Sequence, residues 1–416
     1  MDDAVISLTE VKHNIPIDDA RFVKPTASGK ATPPPDNLNA AGKDVQPIPF
    51  ELSDNHIHLQ IKINGSGPFS FVLDTGAGVC VISERRAAEL GLKLRDLGEL
   101  DIGTGEANTK VAVANDVSFS LPGVEILTER AIVISLDSLE GFFGHPIDGL
   151  LGSDVFKRYV VEIDYAARTI RLFDPKKYGY SGSGTSIPFR LVGNVPIARG
   201  GIGLSRQPSI EGEFEIDTGM STALILRTPF VKKHNLVASS RKTFPSIDVG
   251  VGGESKVIVG RVPVLQFGSF AIEAPVTFYS QAAKGELAGT SSIGIIGGEI
   301  LRRFTVIFDY SRKRMILEPN ANLADPYEHD MSGALLIADG KVFKTFKVHR
   351  VFESSPATEA GLREGDVIVA IDDKPSRELT LKQVKHMFKL EGHEYLLSVR
   401  RNGEMLKAKI KIRRLV

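Results

Sequence analysis

The chain has 416 residues, 42% hydrophobic and 25% charged, and its 51 basic and 51 acidic side chains cancel to a formal net charge of 0. That length allows two or three domains with cores of their own, and that balance excludes a general attraction to nucleic acid or anionic membrane. The single cysteine, Cys80, excludes an intramolecular disulfide and leaves the redox compartment open, while no apolar run approaches the roughly 18 to 20 residues needed to span a bilayer.

The acidic start Met1-Asp2-Asp3-Ala4 lacks the apolar core of a signal peptide, so an exported form would need a signal outside this chain. Val11–Asp19 reads as a lone edge strand. With Asp18-Asp19-Ala20-Arg21-Phe22 it resembles the closing strand of a lipoprotein-carrier-like β domain of bacterial envelopes. That likeness implies that the chain is the C-terminal part of something longer. From Lys24 to Gln46, Pro, Ala, Gly and Asn dominate, including Pro33-Pro34-Pro35, which predicts an extended, poorly ordered linker.

Two copies of one unit follow, at 47–175 and 186–319. Ile48-Pro49-Phe50-Glu51-Leu52 matches Ile187-Pro188-Phe189-Arg190-Leu191, and Asp74-Thr75-Gly76 matches Asp217-Thr218-Gly219. Gly149-Leu150-Leu151-Gly152 matches Gly294-Ile295-Ile296-Gly297, and Arg158–Tyr165 matches Arg303–Tyr310. Seventy-eight residues separate Asp74 from Gly152, and eighty separate Asp217 from Gly297. Four paired motifs in one order at nearly one spacing point to a duplication.

Each copy reads mainly as β, with period-two alternation in Ile57–Ile63, Thr109–Val113 and Thr169–Leu172. Ser83 caps a predicted helix ending near Leu90, with Gly91 after it; the second copy offers Thr228 as cap, Pro229 and Asn235. Further helices are expected at Ser153–Tyr159 and Gly298–Phe304. Lys176–Ser186 reads as a flexible join, and Asn320–Ser332 leads into a last domain at 328–416. There Phe346–Val351 and Val367–Ile371 predict strands, Ser355–Leu362 a small helix, and Thr380-Leu381-Lys382-Gln383 a capping box opening a helix to about Leu390. A terminal hairpin, Tyr395–Arg400 with Lys407–Ile412, turns at Asn402-Gly403.

A carboxylate at the end of a buried strand is costly unless it is hydrogen-bonded or shares a proton. Asp74 and Asp217 each follow an apolar strand, which predicts two carboxyls that face each other, hold one proton between them and activate a water. Gly76 and Gly219 let backbone approach the pair, and Thr75 and Thr218 can bond across the axis. The pattern over 47–319 resembles the pepsin and retropepsin superfamily of aspartic peptidases. The resemblance implies Asp74 and Asp217 as the catalytic pair, with Leu150-Leu151-Gly152 and Ile295-Ile296-Gly297 packing beneath the two loops. Copies of about 130 residues look more like retropepsin subunits in tandem than pepsin lobes. It also implies glycine-tipped flaps, placed on Gly103, Thr104 and Gly105 and on Gly250, Gly252 and Gly253. Ala77-Gly78 and Met220-Ser221 differ after the two motifs, so the second loop is expected to be less regular.

Ser355-Pro356-Ala357, Ala360-Gly361-Leu362, Gly365-Asp366-Val367-Ile368 and Ile371-Asp372 resemble a bacterial PDZ domain. The likeness implies capture of peptide C-termini by a backbone loop, assigned to Ser332, Gly333, Ala334 and Leu335, against the helix near Leu381–Phe388. With the N-terminal likeness it implies a bacterial envelope or periplasmic location, the alternative being cytoplasmic.

Other features read structurally. Asp164 and Asp309 are taken as turn residues, His56 and His58 as surface histidines, Cys80 as a small core residue and His145 as a plain loop residue. Arg400-Arg401 and Arg413-Arg414 read as a solvated hairpin face, and Leu415-Val416 as finishing the domain's own last strand. The expected fold is mainly β: two pseudo-two-fold-related acid-protease-like lobes plus a small α+β PDZ domain. The expected function is aspartic endopeptidase, without cofactor or metal, acting on peptides or proteins, the PDZ domain recruiting substrate or regulating. The alternative is a non-catalytic peptide-binding scaffold with a degenerate protease fold.

Overall fold

The computed structural model describes residues 46–204 and 207–416. The edge strand expected at Val11–Asp19, the envelope-domain likeness and nearly all of the linker lie outside the described residues.

The fold is mainly β. In the first copy the strands lie in the order Glu51–Ser53, His56–Ile63, Ser66–Leu73, Gly149–Leu151, Val81–Ser83, Val124–Ile134, Thr109–Leu121 and Leu94–Leu100. The second copy runs Thr185–Val192, Val195–Leu204, Gln207–Ile216, Gly294–Ile296, Leu224–Leu226, Val276–Ser280, Gly253–Arg261 and Phe244–Gly250, the same neighbours strand for strand. Alternation decides which face is buried: Ile57, Leu59, Ile61 and Ile63 are all fully buried. Beneath the two copies Val160–Asp164 pairs antiparallel with Phe304–Asp309. Val161 sits opposite Phe308 and Ile163 opposite Val306, a register that maps onto itself when the copies are exchanged. A single apolar core, including Phe71, Phe156, Phe214 and Phe308, runs through both copies.

The helices are short: α1 (Glu84–Glu89), α2 (Asp137–Phe143), α3 (Ser153–Arg158), α4 (Thr228–Lys233), α5 (Leu236–Ser239), α6 (Gly298–Leu301), α7 (Pro356–Glu359) and α8 (Leu381–Met387). Ser83 caps α1 as expected, and Asn235 takes the left-handed conformation after α4. The cap of α4 is Arg227, one residue before the expected Thr228. Helices α3 and α6 stop one and three residues short of their expected ends, because the chain there enters the strands that pair between the copies. The capping box at Thr380 and Gln383 is complete, but α8 ends at Met387 with Phe388 as its C-cap.

Several expectations are corrected. The join 176–186 is pinned rather than loose: Tyr178 packs on Phe173 at 5.0 Å between ring centroids, and Tyr180 Oη donates to Glu318 at 2.5 Å. Arg400, Arg413 and Arg414 lie on a solvated face as expected, but Arg401 is partly covered, its guanidinium holding the buried Asp366 carboxylate at 2.7 Å; Arg414 pairs with Glu328 and Glu391. The last strand ends at Lys411, and Leu415 leaves that sheet to pack with Phe244, Val257, Val259 and Phe278 of the second copy. Asp164 and Asp309 do serve turns, accepting from Ala167 N–H and Arg312 N–H.

His56 and His58 are buried, not on the surface. The face of their strand opposite the core is covered by Phe143, 4.5 Å from the His56 ring, and by His145, 4.5 Å from the His58 ring. Burial holds both imidazoles neutral, with pKa values lowered to about 4 for His56 and about 3 for His58, neighbouring histidines adding to the second shift. A histidine depressed on folding binds more protons unfolded, so its contribution to stability is present above the unfolded value of about 6.5 and is lost as pH falls toward the folded one. His58 has no hydrogen-bond partner on either ring nitrogen. His58→Phe is therefore expected to recover about 2 kcal/mol of unfolding free energy near pH 4.5 while changing little at neutral pH, measured by urea denaturation at both.

Candidate active site

Each Asp-Thr-Gly leaves a strand held by the glycine motif downstream. Ser66–Leu73 runs parallel to Gly149–Leu151, and Gln207–Ile216 parallel to Gly294–Ile296. Each glycine-motif strand also pairs antiparallel with the strand after its loop. Asp74 N–H donates to Leu151 O at 3.1 Å and Asp217 N–H to Ile296 O at 2.9 Å. Glycine is required at Gly152 and Gly297, where a Cβ would fall 2.3 Å from Val79 O and 2.4 Å from Thr222 O.

The two loops meet at the axis. Thr75 N–H donates to Thr218 Oγ1 and Thr218 N–H to Thr75 Oγ1, both at 3.0 Å. Each hydroxyl then donates onward, Thr75 to Ile216 O at 2.7 Å and Thr218 to Leu73 O at 2.8 Å. All four groups are fully satisfied in a buried place, so the spacing of the loops is fixed. The Asp74 and Asp217 carboxyls face the same cavity and act on each other's proton affinity. Each lies against the glycine of the opposite loop: a Cβ on Gly76 would stand 2.7 Å from Asp217 Cγ, and one on Gly219 2.4 Å from Asp74 Cγ.

The pair is not electrically symmetric. Asp74 Oδ1 accepts from Gly76 N–H at 2.8 Å and Ala77 N–H at 3.0 Å, whereas Asp217 Oδ1 accepts from Gly219 N–H at 2.7 Å. Burial raises the Asp74 pKa, opposed by the neighbouring Asp217 carboxyl and by these N–H groups. Burial pushes Asp217 well above the carboxylate range, and the Asp74 charge pushes it further. Both carboxyls are thus held above the ordinary carboxylate range, Asp217 the further of the two. Tyr165 and Tyr310, beneath the loops, are held in the phenol form by burial.

The second loop is held like the first despite its different residues. Ser153 N–H donates to Ala77 O at 3.0 Å, and Gly298 N–H to Met220 O at 2.6 Å.

The flap residues come together above the pair. Gly105 N–H donates to Val251 O at 2.9 Å, Ala107 N–H to Gly252 O at 2.8 Å, and Ser255 Oγ to Thr104 O. A Cβ on Gly105 would be 2.0 Å from Gly252 C, one on Gly103 2.4 Å from Val251 O, and one on Gly250 2.0 Å from Thr104 Oγ1, so the closed tips admit only glycine there. Gly252 and Gly253 sit at positive φ. The two flaps differ. The second is a tight hairpin, Phe244–Gly250 with Gly253–Arg261, but the first is an eight-residue loop, 101–108, between Leu94–Leu100 and Thr109–Leu121.

Under the flaps lies a cavity of about 580 Å³. Val72, Leu139 and Ile147 line one side of the carboxyls, and Ile225, Val276 and Phe278 the other. Asp248, on the second flap, also faces it, and burial raises its pKa to about 6. Of the expected PDZ loop, Gly333, Ala334 and Leu335 line the far end of this same cavity, while Ser332 is fully buried and its hydroxyl accepts from Ala334 N–H at 3.0 Å. Among the described residues no cluster of His, Cys, Asp and Glu is arranged to hold a metal, and no helix is long and apolar enough to cross a membrane.

The sequence reading missed two supports. Asn194 Nδ2 donates to Gly78 O at 3.0 Å and Asn55 Nδ2 to Ser221 O at 2.8 Å, each from one copy onto the residue four beyond the Asp of the other. Carrying the Ile48/Ile187 alignment seven residues on puts Asn55 over Asn194, so the signal was present. His56 adds a third prop, its Nε2–H donating to Gly219 O at 3.0 Å. Asn194→Ala is expected to cost about 1 kcal/mol of stability, measured by urea denaturation.

Residues 59–155 match the family model of an aspartyl protease, and residues 331–412 that of a PDZ domain. The first match contains Asp74-Thr75-Gly76 and Leu150-Leu151-Gly152. No curated protein matches the chain. The chain thus carries one stretch similar to an aspartyl protease domain and another similar to a PDZ domain.

Proposed function

We propose that the chain is an aspartic-type endopeptidase whose catalytic pair, Asp74 and Asp217, comes from the two copies of a duplicated lobe. The observation that carries this reading is the convergence of two carboxyls at the axis, each seated against the glycine of the opposite loop, with the loops bonded to each other through Thr75 and Thr218. In the reaction a water loses its proton to the Asp74 carboxylate as its oxygen attacks the peptide carbonyl carbon. The Asp217 proton passes to the carbonyl oxygen. The tetrahedral diol then collapses: the proton on Asp74 moves to the leaving nitrogen, the C–N bond breaks, and a hydroxyl proton returns to Asp217. The flaps, bonded tip to tip, must part to admit a chain and then exclude water above it.

The PDZ domain is read as a site for peptide C-termini. Incubating the protein with a denatured protein mixture and sequencing the new termini tests the activity. Internal cleavage that disappears in Asp74→Asn supports the reading; cleavage that persists in that variant, or its absence from pH 4 to pH 7, removes it.

A further inference from the structure

The PDZ peptide groove lies between the edge strand Ala334–Asp339 and α8, and it is occupied by the chain itself. Helix α2, from the first copy, lies on the free edge of that strand. A Cβ built on Gly141 would be 3.3 Å from Ala338 O and 3.5 Å from Ile337 Cβ. Gly144, which ends the helix at φ 79°, backs onto α8, where a Cβ would be 2.9 Å from Leu381 Cβ. Lys385 of α8 clasps the insertion, donating to Phe142 O at 3.1 Å and pairing with Asp54 at 2.7 Å. A strand-forming ligand and α2 cannot share this edge.

The same helix is a wall of the cleft, with Leu139, Phe142 and Phe143 facing the cavity that holds the carboxyl pair. The PDZ domain also grips the second flap. His349 Nε2 meets Glu254 Oε1 at 2.5 Å, Arg350 reaches Glu254 Oε2 at 3.2 Å, and Phe352 packs edge-on against Phe244 at the base of that hairpin. The Phe142 ring lies 5.2 Å from the His349 imidazole, so plug and clamp touch. On the second copy the domain is anchored independently, by Leu415 in its apolar cluster and by the buried Arg303, whose guanidinium lies 3.6 Å below the Tyr327 ring.

We propose that α2 is an intramolecular plug of the PDZ groove, and that an extended peptide with a free C-terminal carboxylate displaces it, opening the cleft wall and loosening the flap. The PDZ ligand is then an activator of the chain's own peptidase site. The proposal rests on the peptidase reading for its consequence, not for the displacement. Against the groove the helix is held by close contacts at two glycines, by Lys385 and by the Phe142–His349 ring contact, and against its own copy by Glu140 on Arg85 and Phe143 on His56, whereas an added strand gains main-chain bonds along the whole edge, so a ligand that binds that edge biases the exchange.

Gly141→Cys with Ile337→Cys tests it in the full chain, because a Cβ separation near 3.5 Å lies in the disulfide range. Cys80 is buried and does not compete. The probe is a fluorescein-labelled pool of synthetic peptides, random in their last four residues, with free carboxylates; an amidated pool is the control. Reduced protein should bind the free-acid pool and be activated by it about fivefold or more, and oxidised protein should do neither. Lys385→Glu, which sets two carboxylates together at Asp54, should raise activity without ligand. Oxidised protein that still binds or is activated, or reduced protein that binds without activation, overturns the proposal. In Asp74→Asn, hydrogen exchange over 137–144 should rise when the pool binds. That readout survives if the peptidase reading fails, and unchanged exchange on binding refutes the plug alone.

Discussion

Asparagine in place of Asp74 or of Asp217 should lower peptidase activity by about a thousandfold or more, measured as kcat/KM on an internally quenched peptide, with the fold intact. The amide of Asp74→Asn keeps a carbonyl oxygen for Gly76 N–H and Ala77 N–H, so the loop has its partners. The amide of Asp217→Asn can still donate to Asp74, but its proton cannot be passed to a substrate carbonyl. Both carboxyls have pKa values raised by burial, so at neutral pH ionised carboxylate is what folding disfavours. Removing either acid should therefore leave the urea midpoint unchanged or raise it. Loss of activity with loss of folding would point elsewhere.

Thr218→Val, like its counterpart Thr75→Val, should be strongly damaging at the axis. It leaves two buried backbone groups from the other copy, Thr75 N–H and Leu73 C=O, without partners. An unsatisfied buried group costs about 1 to 3 kcal/mol, so the variant should lose about 2 to 5 kcal/mol in urea denaturation. Activity should fall further than stability, because the same bonds set the distance between the carboxyls. Thr218→Ser restores the hydroxyl and should recover most of both, which a simple loss of packing would not allow.

The carboxyl pair and its glycines were legible in the sequence because they recur with their strands and spacing, and a repeated costly feature signals a shared purpose. The PDZ domain was legible for a related reason: its caps and turns are local chemistry, seen in the complete box at Thr380 and the Asn402-Gly403 turn. What was not legible depends on contacts between distant segments. Helix α2 is seven residues with a glycine inside it, too short for periodicity to reveal, and its role comes from the edge strand nearly 200 residues later. His56 and His58 look like the wet face of a strand until Phe143 and His145 cover it. Leu415 reads as a strand end because nothing local says that another copy's core receives it. Arg401 looked solvated for the same reason, its buried acidic partner Asp366 lying 35 residues away.

The central claim is that two acids from different parts of the chain hold one proton between them. A carbon-13 titration of the aspartate carboxyls, with the Asp74→Asn and Asp217→Asn proteins to assign the signals, measures this most directly. Asp217 is expected to keep its proton well above the ordinary aspartate value of about 3.9, and its midpoint to fall when Asp74 becomes uncharged. Two carboxyls that titrate independently near that ordinary value, each indifferent to loss of the other, would contradict it.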